Sequence, residues 1–177
     1  MLYTGKGDKG QTKLYHCDQR LSKSSLVAEA LGSLDEINSF LGWCKVKAGE
    51  RSGIGEILEE AQNHLFSIQA ELAGAPKKLP RTAVTKVETV IKAIEKELSP
   101  IKSFIVSGGT ELSVMLDVAR TMARRAERQV VAVAESKAVK LSPATLAFLN
   151  RLSSLLYALA RLANHRAGIG EKKPSYQ

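Results

Sequence analysis

From about residue 20 onward, apolar residues recur every three or four positions and rarely every second one, the spacing of helices with one buried face. The pattern predicts five helices, from about Ser22 to Lys47, Ile54 to Leu72, Thr82 to Leu98, Thr110 to Glu135 and Pro143 to Arg166. Within them, Leu31, Leu34, Ile37 and Leu41 form one core stripe, and Met115, Ala119, Met122, Ala126, Val130 and Val133 a second. Leu149, Leu152, Leu156, Leu159 and Ala163 form a third, with the alternating spacing of a bundle core. The breaks are AGERSGIG, GAPKKLP, LSPIKSFIVSGG and SKAVKLSP, the last setting Ser142 as an N-cap before Pro143 at the first helical position. Short connections between long amphipathic helices predict an all-α fold, an antiparallel five-helix bundle behind a glycine-rich N-terminal loop. No repeat or second domain interrupts residues 1–177, and the closing GIGEKKPSYQ, residues 168–177, lacks apolar periodicity and is expected to fray.

Composition narrows the class. Hydrophobic content of 44% and charged content of 25% are those of a globular chain, and no apolar run approaches a membrane span. Lys6 and Lys9 are followed by polar residues, not by the apolar stretch of a signal peptide. Cys17 and Cys44 form no CxxC, and His16, His64 and His165 share no metal-ligand spacing, so a reduced, cytoplasmic protein is expected. The net charge of +8 asks for an anionic partner, whether nucleic acid or a phosphorylated small molecule. Aromatic content of 5% weighs against base-stacking surfaces.

Several stretches carry candidate chemistry. TGKGDKGQT, Thr4 to Thr12, combines glycines that let backbone N–H groups turn toward an anion with lysines that add charge. It is not a Walker A loop, because Gln11 stands where that motif needs lysine, and alone it also fits a mobile terminus. In DVARTMARRAERQVV, Asp117, Arg120, Arg124, Glu127 and Arg128 gather nearly opposite the apolar stripe. Arginine at i, i+4 and i+8 suits bidentate recognition of phosphate or carboxylate, though a solvated, salt-bridged face has the same pattern. Asp35 and Asn38 lie to one side of the first core stripe, and Asn150, Ser154, Tyr157 and Arg161 form a polar stripe on the last helix. Phe104 precedes Gly108 and Gly109 at the entry to the arginine helix, where a core or staple role is the ordinary one.

Together TGKGDKGQT, EALGSLDEIN, FIVSGG, ARTMARRAER and LNRLSS resemble, in order and over most of the chain, the PduO-type ATP:cob(I)alamin adenosyltransferases. That family's pattern looks like T-x-x-G-D-x-G, then E-A-x-G-x-x-D-E-x-N, F-I-x-P-G-G, A-R-x-x-x-R-R-A-E-R and L-N-R-L-S-D. The resemblance implies a homotrimer with active sites between subunits. It implies transfer of the 5′-deoxyadenosyl group of ATP to the cobalt of cob(I)alamin, with triphosphate released.

By position, the resemblance assigns Thr4, Gly5, Gly7, Asp8, Lys9, Gly10 and Thr12, within a nucleotide-binding segment 1–20, to wrapping ATP, with Lys23 on the triphosphate. Arg124, Glu127 and Asn150 complete the nucleotide site, with Arg128 beside them. Arg120 matches the arginine that pairs across the interface with the aspartate equivalent to Asp35, and Phe104 the phenylalanine that crowds the lower corrin face and displaces its axial ligand. No protein metal ligands are implied, Mg2+ being held mainly by the ATP phosphates. A cobalamin reductase and an adenosylcobalamin-dependent client enzyme are the implied protein partners, with neither nucleic acid nor membrane.

Three positions depart from the family pattern. Ser107 replaces a proline, Asp117 a common histidine, and Ser154 the aspartate after L-N-R-L-S. Two other readings remain at this point: a basic helical nucleic-acid-binding module, and a carrier that delivers adenosylcobalamin.

Overall fold

A computed structural model describes residues 2–14, 20–50 and 52–176. His16 and Cys17, and with them part of the expected nucleotide-binding segment, lie outside the described residues. The elements are β1 (Gln11–Lys13), β2 (Arg20–Ser22), α1 (Leu26–Ala48), α2 (Ile54–Leu72), α3 (Arg81–Glu97), α4 (Glu111–Glu135) and α5 (Pro143–Arg166). The five helices stand where the apolar periodicity puts them. The N-terminal boundary of α1 differs, because residues 20–22 pair antiparallel with β1, Thr12 opposite Leu21. Ser25 caps α1 by accepting a hydrogen bond from the Ala28 N–H at 3.3 Å. A ladder of three residues is too short to show as alternation in the sequence.

α4 lies between α1 and α5, while α2 covers α1 and α3 covers α5. Ala119, Ala123 and Ala126 are wholly buried, and their small side chains let α4 approach both neighbours closely. α5 is covered on two sides, so Leu149, Leu152, Leu155, Leu156, Leu159 and Leu162 are all buried. Each such leucine contributes about 1.5–3 kcal/mol through burial. No helix among the described residues is long and apolar enough to cross a membrane.

One buried carboxylate ties the start of α5 to the end of α2. Glu71, 4% exposed, accepts from Ser142 N at 2.6 Å, from Ser142 Oγ at 3.4 Å and from Thr145 Oγ1 at 2.5 Å. It thus satisfies donors at an N-terminus where the helix dipole favours negative charge. Glu71→Ala strands those donors and is expected to lower stability by about 2–4 kcal/mol, read from urea unfolding.

His64 of α2 packs edge-on against the buried ring of Phe148, centroids 5.2 Å apart. Its Nε2 is 3.6 Å from Glu60 Oε1, too long for a hydrogen bond. Burial lowers the imidazole pKa; Glu60 opposes that shift, and Lys86 of α3 adds to it. The unfolded chain therefore takes up a proton more readily than the folded one. The contribution of His64 to stability is complete above its ordinary pKa of 6.5 and declines as the pH falls through that value toward the folded one. Between pH 7.5 and 5.5 the urea midpoint of the native chain should fall further than that of His64→Leu.

Candidate functional site

The antiparallel register of α4 and α5 turns two sequence stripes into the walls of one groove. At one end Asn150 Nδ2 donates to Glu127 Oε1 at 3.1 Å, and Arg151 Nη1 donates to Asn150 Oδ1 at 2.6 Å. Arg128 is exposed on the same helix. Toward the other end, Arg120, Arg124, Ser153, Ser154 and Tyr157 line a cavity of about 670 Å3, roofed by Ile101 to Ile105 from the segment after α3. Phe104 belongs to that roof and is 80% exposed, so the staple or core role does not hold here.

Arg120 is held from two sides. Its Nε donates to Asp117 Oδ1 at 3.1 Å, and its guanidinium carbon stands 6.0 Å from the centre of the Tyr157 ring. This arrangement engages Nε and leaves the Nη pair for an anion in the cavity. Burial holds the Tyr157 phenol above its ordinary pKa, with Arg161 and Arg120 acting against that rise and Glu171 and Asp117 adding to it, so its O–H remains a donor at neutral pH.

The segment carrying Phe104 is anchored at several points. Arg161 Nη2 donates to the Ser99 carbonyl at 2.8 Å, and Val106 N to the Lys172 carbonyl at 2.8 Å. Asn164 closes the turn into α4, its Nδ2 donating to Gly108 O at 2.8 Å and its Oδ1 accepting from Thr110 N at 2.9 Å. Thr110 in turn caps α4 at Ser113 N. Asn164 continues the stripe of Asn150, Ser154, Tyr157 and Arg161 by one more turn, which is the signal that would have found it.

The remaining candidates gather elsewhere on the chain. In the N-terminal loop, Gly5 and Gly10 take positive φ of 63° and 74°, and Asp8 N and Gly10 N close turns onto Gly5 O and Gly7 O. Thr4 Oγ1 accepts from Lys6 N at 3.4 Å, and Lys9 is exposed. Lys23 N donates to Gly10 O at 2.9 Å, and its Nζ lies 3.1 Å from where a Cβ on Gly7 would stand. Loop and lysine thus form one cationic, glycine-lined corner. Thr12, Lys23, Leu31 and Ala73 line a cavity of about 390 Å3. Leu31 and Ala73 are shared with a second, of about 520 Å3, that holds Asp35, Phe66 and Gln69. Neither shares a lining residue with the α4–α5 cavity. Asn38 turns into the bundle, 4% exposed, and its backbone carbonyl accepts from Gln62 Nε2 at 2.9 Å. Within one chain, then, the candidates form two patches, and Asp35 does not meet Arg120.

The family model for cobalamin adenosyltransferase matches residues 2–163. The chain belongs to the cobalamin adenosyltransferase family. It is 39% identical to a corrinoid adenosyltransferase of Bacillus subtilis over 96% of this chain and 90% of that one. It is 37% identical to the corrinoid adenosyltransferase PduO of Salmonella typhimurium over 95% of this chain, and spans 52% of that longer protein. Among solved structures, a variant PduO-type ATP:corrinoid adenosyltransferase from Lactobacillus reuteri, complexed with cobalamin and ATP, superposes with a TM-score of 0.91 at 32% identity. That match covers 99% of this chain and 97% of the other. An arginine-to-lysine variant of the same adenosyltransferase, complexed with ATP, gives a TM-score of 0.89 at 32% identity. For a cobalamin adenosyltransferase, the residues that the sequence stripes do not single out are the supports Asn164 and Glu171.

Proposed function

We propose that this chain transfers the 5′-deoxyadenosyl group of ATP to cob(I)alamin, releasing triphosphate. The observation that carries the reading is the cavity in which Arg120 and Arg124 face an exposed Phe104, in a chain of this family. Cob(I)alamin is itself the nucleophile. Its cobalt electron pair attacks C5′, the Co–C bond forms as the C5′–O bond breaks, and the triphosphate leaves with that bond's electrons. No protein base is required, so the absence of a histidine, cysteine or paired carboxylate from the cavity lining is consistent with catalysis. The protein's task is alignment of cobalt with C5′ and stabilisation of the departing negative charge.

In this reading Arg120, Arg124 and Lys23 meet the phosphates, with N–H groups of the Thr4–Thr12 loop, while Glu127 and Asn150 hold the nucleoside end and Arg128 lies beside them. Phe104 offers the cobalt no donor atom, and by denying a lower axial ligand it eases the preceding reduction of Co(II). A magnesium ion accompanying ATP is held mainly by the ATP phosphates in this reading. Because the two patches lie apart on one chain, the site is completed between subunits, the loop and Asp35 of one meeting Arg120 of the next in a closed trimer. Residues 1–177 act as one domain in the cytoplasm, and a cobalamin reductase and a client enzyme complete the reading.

Anaerobic incubation with ATP, Mg2+ and chemically reduced cobalamin should abolish the cob(I)alamin absorbance and release one triphosphate per adenosylcobalamin. An unchanged spectrum overturns the reading.

A further inference from the structure

Phe104 has little packing of its own, so its position is decided by the backbone on either side of it. One side is fixed by Arg161, only 7% exposed on α5, through the Ser99 carbonyl. That guanidinium is itself fixed by Glu171, with Nε 2.5 Å from Oε1 and Nη2 3.2 Å from Oε2. The other side is fixed by the Lys172 carbonyl, which accepts from Val106 N. Both ties reach the stretch after α5, expected to fray, and its Glu171 and Lys172 are therefore engaged.

Burying an arginine demands a counter-charge, and Glu171 supplies it. Yet among the described residues no side chain after Ala163 belongs to the buried core. The segment's polar contacts go instead to Arg161, which holds Ser99, and to Val106, on the two sides of the cavity roof. We propose that Arg161 and Glu171 are positioning residues for Phe104, and that the segment after α5 is a latch holding the corrin-side roof of the site in its working place. The proposal rests on the adenosyl-transfer reading of the same cavity.

A latch on the roof has a directional consequence. Arg161 and the Ser99–Val106 segment stand at the Arg120 end of the groove, but Arg120 itself is held by Asp117 and Tyr157 and not by the latch. Glu127 and Asn150 stand at the other end. Loosening the latch should therefore weaken use of the corrinoid and leave use of ATP nearly intact. Misplacement of a substrate-positioning group by about 1 Å is enough to lower rates 10²-fold, so a partial loosening reads as about tenfold.

The experiment compares the full-length native chain, Glu171→Ala and Glu171→Gln in the anaerobic transfer assay. KM is measured separately for cob(I)alamin and ATP, and the spectrum of bound cob(II)alamin is recorded with ATP present. Glu171→Ala should raise the corrinoid KM about tenfold, keep the ATP KM within about twofold, and lower the share of cob(II)alamin lacking its axial ligand. Glu171→Gln, whose amide oxygen still accepts from Arg161, should fall between, and it carries the comparison alone if the alanine variant does not fold. A corrinoid KM within about twofold of native in an active enzyme overturns the latch, and so does a parallel rise of both KM values, which would mark general loosening. A native chain without transfer activity overturns the adenosyl-transfer reading itself.

Discussion

Arg120→Ala should leave a folded protein whose kcat for adenosyl transfer is lower by about 10²–10³, the usual effect of deleting one group aimed at developing negative charge. Stability should fall more modestly, because the Asp117 pair, with side chains 29% and 14% exposed, is only partly open to solvent, and leaving its carboxylate without a partner costs about 1–3 kcal/mol. Arg120→Lys should restore little, since a lysine keeps the charge but has neither the planar stack on Tyr157 nor paired donors beyond an Nε already bound to Asp117. The same variant tests the shared site. Asp35→Ala should also be inactive, for Asp35 lies in the α1–α2 cavity and is proposed to meet Arg120 of a neighbouring subunit. Mixed by joint refolding, the two inactive proteins form some interfaces in which an intact Asp35 faces an intact Arg120. Random assembly into a closed ring leaves about a quarter of the interfaces native, so activity should return to about a quarter of the native value. A mixture as inactive as its parts would place the whole site within one chain.

The helices were legible because each buries one continuous face, which repeats locally and survives without knowledge of the neighbours. The groove was legible for a related reason. Arg120, Arg124 and Glu127 lie on one helical stripe, Tyr157, Ser154 and Asn150 on another, and antiparallel packing sets the stripes side by side. What escaped depends on meetings between distant segments. The β1–β2 ladder pairs three residues with three, and no period can be read from so few. Glu171 looks like a solvated tail carboxylate until α5 presents a buried Arg161 to it. Asp117, by contrast, stands on the arginine stripe within pairing reach, and its bond to Arg120 one helical turn later makes it that arginine's local counter-charge. The separation of Asp35 from Arg120 within one chain has no signal in the apolar periodicity; only the family resemblance, which pairs them across an interface, implied it.

Gly109→Ala should be among the most damaging single changes outside the core. Gly109 holds φ at +103°, a conformation that L side chains rarely adopt, and this alone costs about 1–3 kcal/mol for alanine. An added Cβ would also stand 2.6 Å from the Asn164 Cγ and Nδ2, and closer still to Oδ1. Asn164 can escape only by swinging out, which gives up its bonds to Gly108 O and Thr110 N, about 1 kcal/mol each. The total of about 3–5 kcal/mol corresponds to a melting temperature lower by on the order of 10 °C for a chain of this size. Because the turn also sets where the Phe104 roof meets α4, corrinoid use should decline with it. Asn164→Ala loses the two bonds without the backbone strain and should melt between native and Gly109→Ala. Adding Asn164→Ala to Gly109→Ala removes the side chain that the Cβ strikes, so the double variant should be more stable than the two separate losses summed. Gly109→Ala melting within about 2 °C of native, or strict additivity in the double variant, would show that Asn164 does not clamp this turn.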